Sequence, residues 1–150
     1  MSGASAPLPV YQTLSELVES TPLILIGRVH TIAKGRTAGE GDGSLQFHDV
    51  TIEIERVFKG HVTDEIVVEQ VAGADHVLGS EVGPAYRVGE RYALFLRLRP
   101  DRRAITVRQG RYRLTAASVE ALGFGPVSQS LQGLSEEELV GKIQQSIKMP

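Results

Sequence analysis

Hydrophobic and polar positions alternate most clearly between Leu45 and Gly60. Val50, Ile52 and Ile54 fall on one side, with Asp49, Thr51, Glu53 and Glu55 on the other. Period two is the pattern of a strand with one buried and one wet face, and the β-branched residues suit a pleated surface. Past Ile54 the parity breaks. Glu55 and Arg56 are both polar, and Val57 and Phe58 are both apolar. One inserted residue does this, so the spacing predicts a β-bulge at Glu55-Arg56. A strand bent there can serve both sides of a small closed barrel. Two strands with a kinked join are the alternative.

The other apolar runs read as neighbours of this strand. Leu23 to Ile32 predicts the first strand. Its start, Leu23-Ile24-Leu25-Ile26, is apolar on both faces and therefore covered twice. Gly27 suits a close backbone approach. Residues 34–44, with four glycines, predict a hairpin loop. His61 to Val71 predicts a strand, and residues 72–86 a long loop. In Arg91 to Arg99, Tyr92, Leu94, Leu96 and Leu98 share one face, and Ala93, Phe95, Arg97 and Arg99 the other. Ala104 to Gln109 returns with Ile105 and Val107 inward. Gly110 permits a turn or bulge, and Tyr112 and Leu114 then share a side. Residues 116–133 predict irregular structure. Helices are expected at both ends. Thr13 and Glu16 have capping-box spacing before Leu14, Leu17 and Val18, a helix expected to cover one opening of the sheet. Ser135 and Glu138 repeat the spacing before Leu139, Val140, Ile143 and Ile147.

One domain over residues 1–150 is expected, with residues 1–10 as a disordered tail. The architecture implied is mainly β: a closed or partly open antiparallel barrel of five to six strands with N- and C-terminal helices. A doubly wound α/β fold would need strands and helices to alternate. The 41% hydrophobic share and net charge of −2 are those of an ordinary globule. The chain has no cysteine, which removes disulfides, thiolate metal sites and a cysteine nucleophile. No apolar run is long enough for a transmembrane helix. Met1 to Ala6 does not read as a secretory signal peptide.

Three segments carry a resemblance: Glu55-Arg56-Val57-Phe58-Lys59-Gly60, Val88 to Leu96 (VGERYALFL), and Gln109-Gly110-Arg111-Tyr112-Arg113-Leu114. With Leu23 to Val29 as first strand, they resemble bacterial exported OB-fold-like domains related in architecture to the netrin and tissue-inhibitor-of-metalloproteinases (NTR-like, TIMP-like) domain. The likeness spans roughly residues 14–115. It implies an OB-like barrel and an extracytoplasmic location, secreted or envelope-anchored. The metalloproteinase inhibitors chelate zinc through an N-terminal cysteine, and that chemistry has no counterpart residue here.

Charge is uneven. Residues 87–113 hold nine arginines against Glu90 and Asp101, and the rest of the chain is acidic. Alternation places Arg97, Arg99, Arg108, Arg111 and Arg113 on the outer face of neighbouring strands. These are the candidate anion-binding residues, since guanidinium groups hold phosphate or carboxylate bidentately. The competing expectation is that Asp49, Glu53, Glu55 and Glu69, outward on earlier strands, pair with them once the sheet closes. Single-strand binders also need aromatic platforms, and Tyr92 and Tyr112 fall on the inward parity, so nucleic acid is disfavoured. His30, His48, His61 and His76 lack metal-ligand spacing, and a site assembled from His48, His61 and His76 is weakly expected. GEGDG at 39–43 lacks the acids of a calcium loop. No nucleophile elbow or zinc-protease motif occurs. No catalytic residue, metal or cofactor is assigned. The expected function is a non-enzymatic interaction module working through loops 34–44 and 72–86. A polyanion or single-stranded nucleic-acid binder is the alternative, and an unrecognised hydrolase the second.

Overall fold

The computed structural model describes residues 10–39, 44–71 and 84–148. Three helices, α1 (Leu14–Ser20), α2 (Pro126–Leu131) and α3 (Glu136–Lys148), accompany six strands. These are β1 (Leu23–Ala38), β2 (Leu45–Lys59), β3 (Glu65–Val71), β4 (Arg91–Leu98), β5 (Ala104–Leu114) and β6 (Val119–Ala121). They form one sheet in the order β3-β2-β1-β4-β5-β6, and a further β3–β5 pairing closes the first five into a ring. That closure is a single parallel bridge, Val68 to Ala104. The other pairings are antiparallel.

The bend that permits closure lies at Glu55. Ile26 pairs with Arg56 but Gly27 with Ile54, so Glu55 is an extra residue on β2, and Phe58 is a second between Lys59 and Val57. The side chains follow the shift. Ile52, Ile54 and Val57 pack into one core and Phe58 into the other. Gly27 faces the bulge where no side chain fits: a Cβ would lie 2.4 Å from Ile52 Cγ2 and 2.6 Å from the Glu53 carbonyl oxygen.

Two cores result, one on each face of the sheet. The barrel interior holds Leu23, Leu25, Val29, Ile52, Val68, Tyr92, Leu94, Leu96 and Ala104, drawn from all five ring strands. The outer face of β1, β4 and β5 carries Ile24, Ile26, Ala93, Phe95 and Tyr112, roofed by Leu17, Val127, Leu131, Leu139 and Ile143 of the helices. The doubly apolar start of β1 is thus covered twice. Leu139 and Ile143 are fully buried, each contributing about 1.5–3 kcal/mol. Both capping boxes form: Thr13 Oγ1 accepts from Glu16 N, and Ser135 Oγ from Glu138 N.

Several boundaries differ from expectation. β1 continues through Lys34–Ala38, pairing as far as Ala38 with Leu45, because Gln46 donates to the Gly35 and Arg36 carbonyls and replaces missing apolar contacts. Of the loop expected at 34–44, residues 40–43 lie outside the described residues, as do 1–9 of the tail. β3 begins at Glu65 rather than His61, since Asp64 has φ 61° and breaks the strand. Within 116–133 stand β6 and α2, the latter started by Pro126, whose fixed φ suits a first helical turn. Helix α1 packs on the outer core through Leu17 and Val18. Ile105 is exposed and Val107 packs on the helix side, while Ala104 is buried inside, because register places Ala104 opposite both Val68 and Leu98.

Gly27→Ala should lower stability by about 1–3 kcal/mol through overpacking, measured by urea unfolding. An unchanged midpoint would show that the backbones do not meet there.

Candidate functional site

The five candidate arginines do not share one face. Arg97 is exposed on β4, and Arg99 follows it at the β4–β5 turn, bonded to Glu69 and 3.2 Å from Asp101. Arg108 is half-buried. Arg111 and Arg113 turn to the interior side, and Tyr112 goes to the helix side instead of the barrel. The cause is a bulge at Gln109-Gly110: Gln109 has φ 59°, and the β4–β5 register slips between Leu94 and Leu96. Gly110 is required there, since a Cβ would lie 2.8 Å from both the Phe95 and Val107 carbonyl oxygens.

On the outer surface, an ion-pair cluster spans the β3–β5 seam. Glu69 of β3 has a side chain only 2% exposed. Arg36 of β1 reaches over β2 to hold it bidentately at 2.9 and 3.1 Å, with its guanidinium 4.1 Å from the Phe47 ring centre. Arg99 holds it from the far side. Beside it, Arg103 grips Asp49 at 3.1 and 2.9 Å. The carboxylates push the pKa values of Arg36 and Arg103 up through these hydrogen bonds. The β4–β5 hairpin is therefore tied by charge to β2 and β3, where the backbone supplies one bridge. Glu69, expected outward and paired with an arginine, is buried beneath two of them.

Inside the barrel, Arg111 is 4% exposed. Its guanidinium lies 3.7 Å from the Tyr86 ring centre and 5.0 Å from that of Tyr92, and it donates to the Pro84 carbonyl. Gln70 completes the hold on this segment: its amide donates to Pro84 O and accepts from Tyr86 N. Tyr86 at the end of the expected loop is thus pinned into the barrel and the Pro84 carbonyl is held beside it, while 72–83 lie outside the described residues. Tyr92 donates to Glu90 at 2.8 Å, and Glu90 accepts from Arg113 at 3.2 Å. Burial raises the Tyr92 pKa to about 12, reinforced by Glu90 and opposed by Arg111. Arg113 also holds Glu120 of β6, which pushes its pKa up.

A third network joins barrel and helix. Arg91 donates to Glu55 at the β2 bulge and to Glu136 in the first turn of α3, at 2.8 and 2.7 Å. Its pKa is raised, by Glu136 first and Glu55 second, and that of Glu136 is lowered. Of the four histidines, His30, His48 and His61 lie within the described residues. His30 bonds Glu53 at 3.1 Å on the surface, His61 is exposed, and His76 lies outside the described residues. Among the described residues no group of three or more acids and histidines could hold a metal, and no helix is long and apolar enough to cross a membrane.

Next to the seam cluster lies an open cleft of 170 Å³ lined by Phe47, Glu69, Gln70, Val71, Tyr86, Ile105 and Thr106. Arg36, Tyr86 and the cleft carry no signal in the sequence: both residues lie in segments of loop-like composition, and only Gly110 signals the inward turn of Arg111. No protein-family model matches the chain, and no curated protein matches it.

Glu69→Ala should cost about 2 kcal/mol, less than a fully buried pair because both arginines keep some water. A thermal midpoint equal to wild type would remove the seam cluster as a source of stability. The Arg91–Glu136 contribution is present above the ordinary Glu136 value of 4.5 and fades as pH falls through its lowered folded-state value. The stability difference between wild type and Glu136→Gln, followed by urea unfolding against pH, should therefore be largest near neutrality and vanish in acid.

Proposed function

We propose that the chain is a non-enzymatic interaction module, an OB-like barrel working outside the cytoplasm. The architecture is supported by the ring order β1-β2-β3-β5-β4 with its parallel β3–β5 contact, which fits a five-stranded barrel closed by a Greek-key connection. The location rests on the resemblance to exported netrin-like domains. The single observation that carries the functional reading is that the charged side chains of the barrel are spent on one another. Arg36, Arg91, Arg99, Arg103 and Arg113 each hold a carboxylate. Among what the surface then offers a partner are exposed apolar groups. Phe124 is 90% exposed and Leu98 49%. Next to Phe124, Gly125, at φ 142°, packs against the Gln109 side chain, whose amide oxygen accepts from Val127 N. Aromatic side chains are frequent anchors at protein interfaces.

A polyanion reading keeps one specific observation: Arg97 and Arg102 are exposed and make no ion pair among the described residues. A capture experiment in the producing cell separates the two. The full chain should retain a discrete protein partner that Phe124→Ser loses and the double variant Arg97→Ala/Arg102→Ala keeps, with little salt dependence. Retention that falls steeply with salt, is displaced by heparin and is lost in the arginine variant would replace the module reading with polyanion binding.

A further inference from the structure

Past the single bridge of Val68 to Ala104, β3 and β5 separate. Two residues further along each parallel strand stand Gln70 and Thr106, which a continued ladder would bring side by side. Tyr86 is bonded to both instead. Its amide donates to the Gln70 side-chain oxygen at 3.2 Å, and its hydroxyl shares a hydrogen bond with that of Thr106 at 3.3 Å. The Gln70 carboxamide also donates to the Pro84 carbonyl at 3.1 Å. A carboxamide carries the same kinds of donor and acceptor as a peptide group, so Gln70 holds Pro84 and Tyr86 as a neighbouring strand would. We propose that Pro84–Tyr86 is a strap that closes the barrel across this gap, and that the strap and the β3–β5 contact release together, before the rest of the sheet opens. The inference stands apart from the module reading.

Side chains from three strands hold the strap. Gln70 comes from β3. From β5, Arg111 donates to the Pro84 carbonyl and lies 3.7 Å from the Tyr86 ring centre. From β4, Tyr92 meets that ring edge-on at 4.9 Å. Tyr86 is buried in the same core as Val68 and Ala104, the two residues of the bridge. The ring therefore cannot leave without opening the gap beside them. Elsewhere the barrel is held by longer ladders: β1 pairs with β4 from Leu23 to Arg28, and β2 with β3 from Phe47 to Glu53. Opening free energies differ across a fold, and segments with few backbone bonds open first. On the outer surface the Glu69–Arg99 pair crosses the same seam and resists the same opening. By linkage, whatever draws Pro84–Tyr86 outward favours the open ring, and whatever holds it inward favours the closed one.

Native-state hydrogen exchange of the full chain, followed by NMR in low urea, reads this opening at the Tyr86 amide. That amide should exchange more than about tenfold faster than the slowest amides of the Leu23–Arg28 ladder. Thr106→Val keeps the shape of the side chain and removes its hydroxyl. It should speed Tyr86 exchange about fivefold, as should Tyr86→Phe, and the double variant should go no further because both remove one bond. A disulfide formed by Val68→Cys with Ala104→Cys should slow the Tyr86 amide to the rate of the β1–β4 ladder, and its reduction should restore the faster rate. Exchange of Tyr86 at the ladder's own rate in the wild type would overturn the strap, as would a rate that Thr106→Val leaves unchanged. A Tyr86 amide that stays fast in the cross-linked chain would show Pro84–Tyr86 fraying alone and would overturn the joint release.

Discussion

The close approach of β1 and β2 at Gly27 and Glu55 is the constraint on which the rest of the molecule depends. The extra residue at Glu55 bends β2, and Gly27 lets the two backbones meet where any side chain would collide with Ile52 and the Glu53 carbonyl. A bulge raises local twist and redirects the side chains that follow. Ile52 and Val57 consequently line the barrel interior while Phe58 joins the helix-covered core. A straight pair of strands this long would present one continuous face and leave β3 far from β5. The bulge is further tied to the C-terminal helix, because Glu55 and Glu136 share the guanidinium of Arg91.

Closure brings a second constraint, which is electrostatic. The arginine-rich β4–β5 hairpin meets the acidic outer side of β2 and β3 at the seam, where Glu69 is held between Arg36 and Arg99 and Asp49 by Arg103. Removing carboxylates from water is costly, and bidentate guanidinium contacts offset that cost when the geometry is good. The arginine surplus of residues 87–113 is therefore a feature of how the barrel shuts. Arg111 serves inside as the others do outside: stacked against Tyr86 and Tyr92, it fixes Pro84–Tyr86 in the barrel. Exposed apolar groups at the surface include Phe124, Leu98 and Ile105.

Much of this was legible in the chain because it depends on local patterns. Period-two alternation marked β2 and β4, the parity break located the bulge at Glu55, the doubly apolar run Leu23–Ile26 announced a strand covered on both faces, and two capping boxes located α1 and α3. Such signals involve residues a few positions apart, whose consequences for backbone and burial are fixed by sterics and periodicity. The expected pairing of outward acids with the arginine face forms only in part: Arg99 meets Glu69, but Asp49 and Glu55 are held by Arg103 and Arg91, which alternation did not single out.

Tertiary structure decided everything that turns on which distant residues meet. The bulge at Gln109-Gly110 flips the parity of β5, so Arg111 and Arg113 point inward and Tyr112 lies under the helices, although unbroken alternation from the outward-facing Ile105 would place them the other way. Arg36 and Tyr86 belong to segments of loop-like composition, yet one holds a carboxylate two strands away and the other lines the barrel. Register between strands far apart in sequence is set by closure of the whole ring, which no local window contains. For that reason the chain by itself determined a bent, closed sheet with capped terminal helices, and only the closed ring determined which arginines are buried and where an open cleft remains.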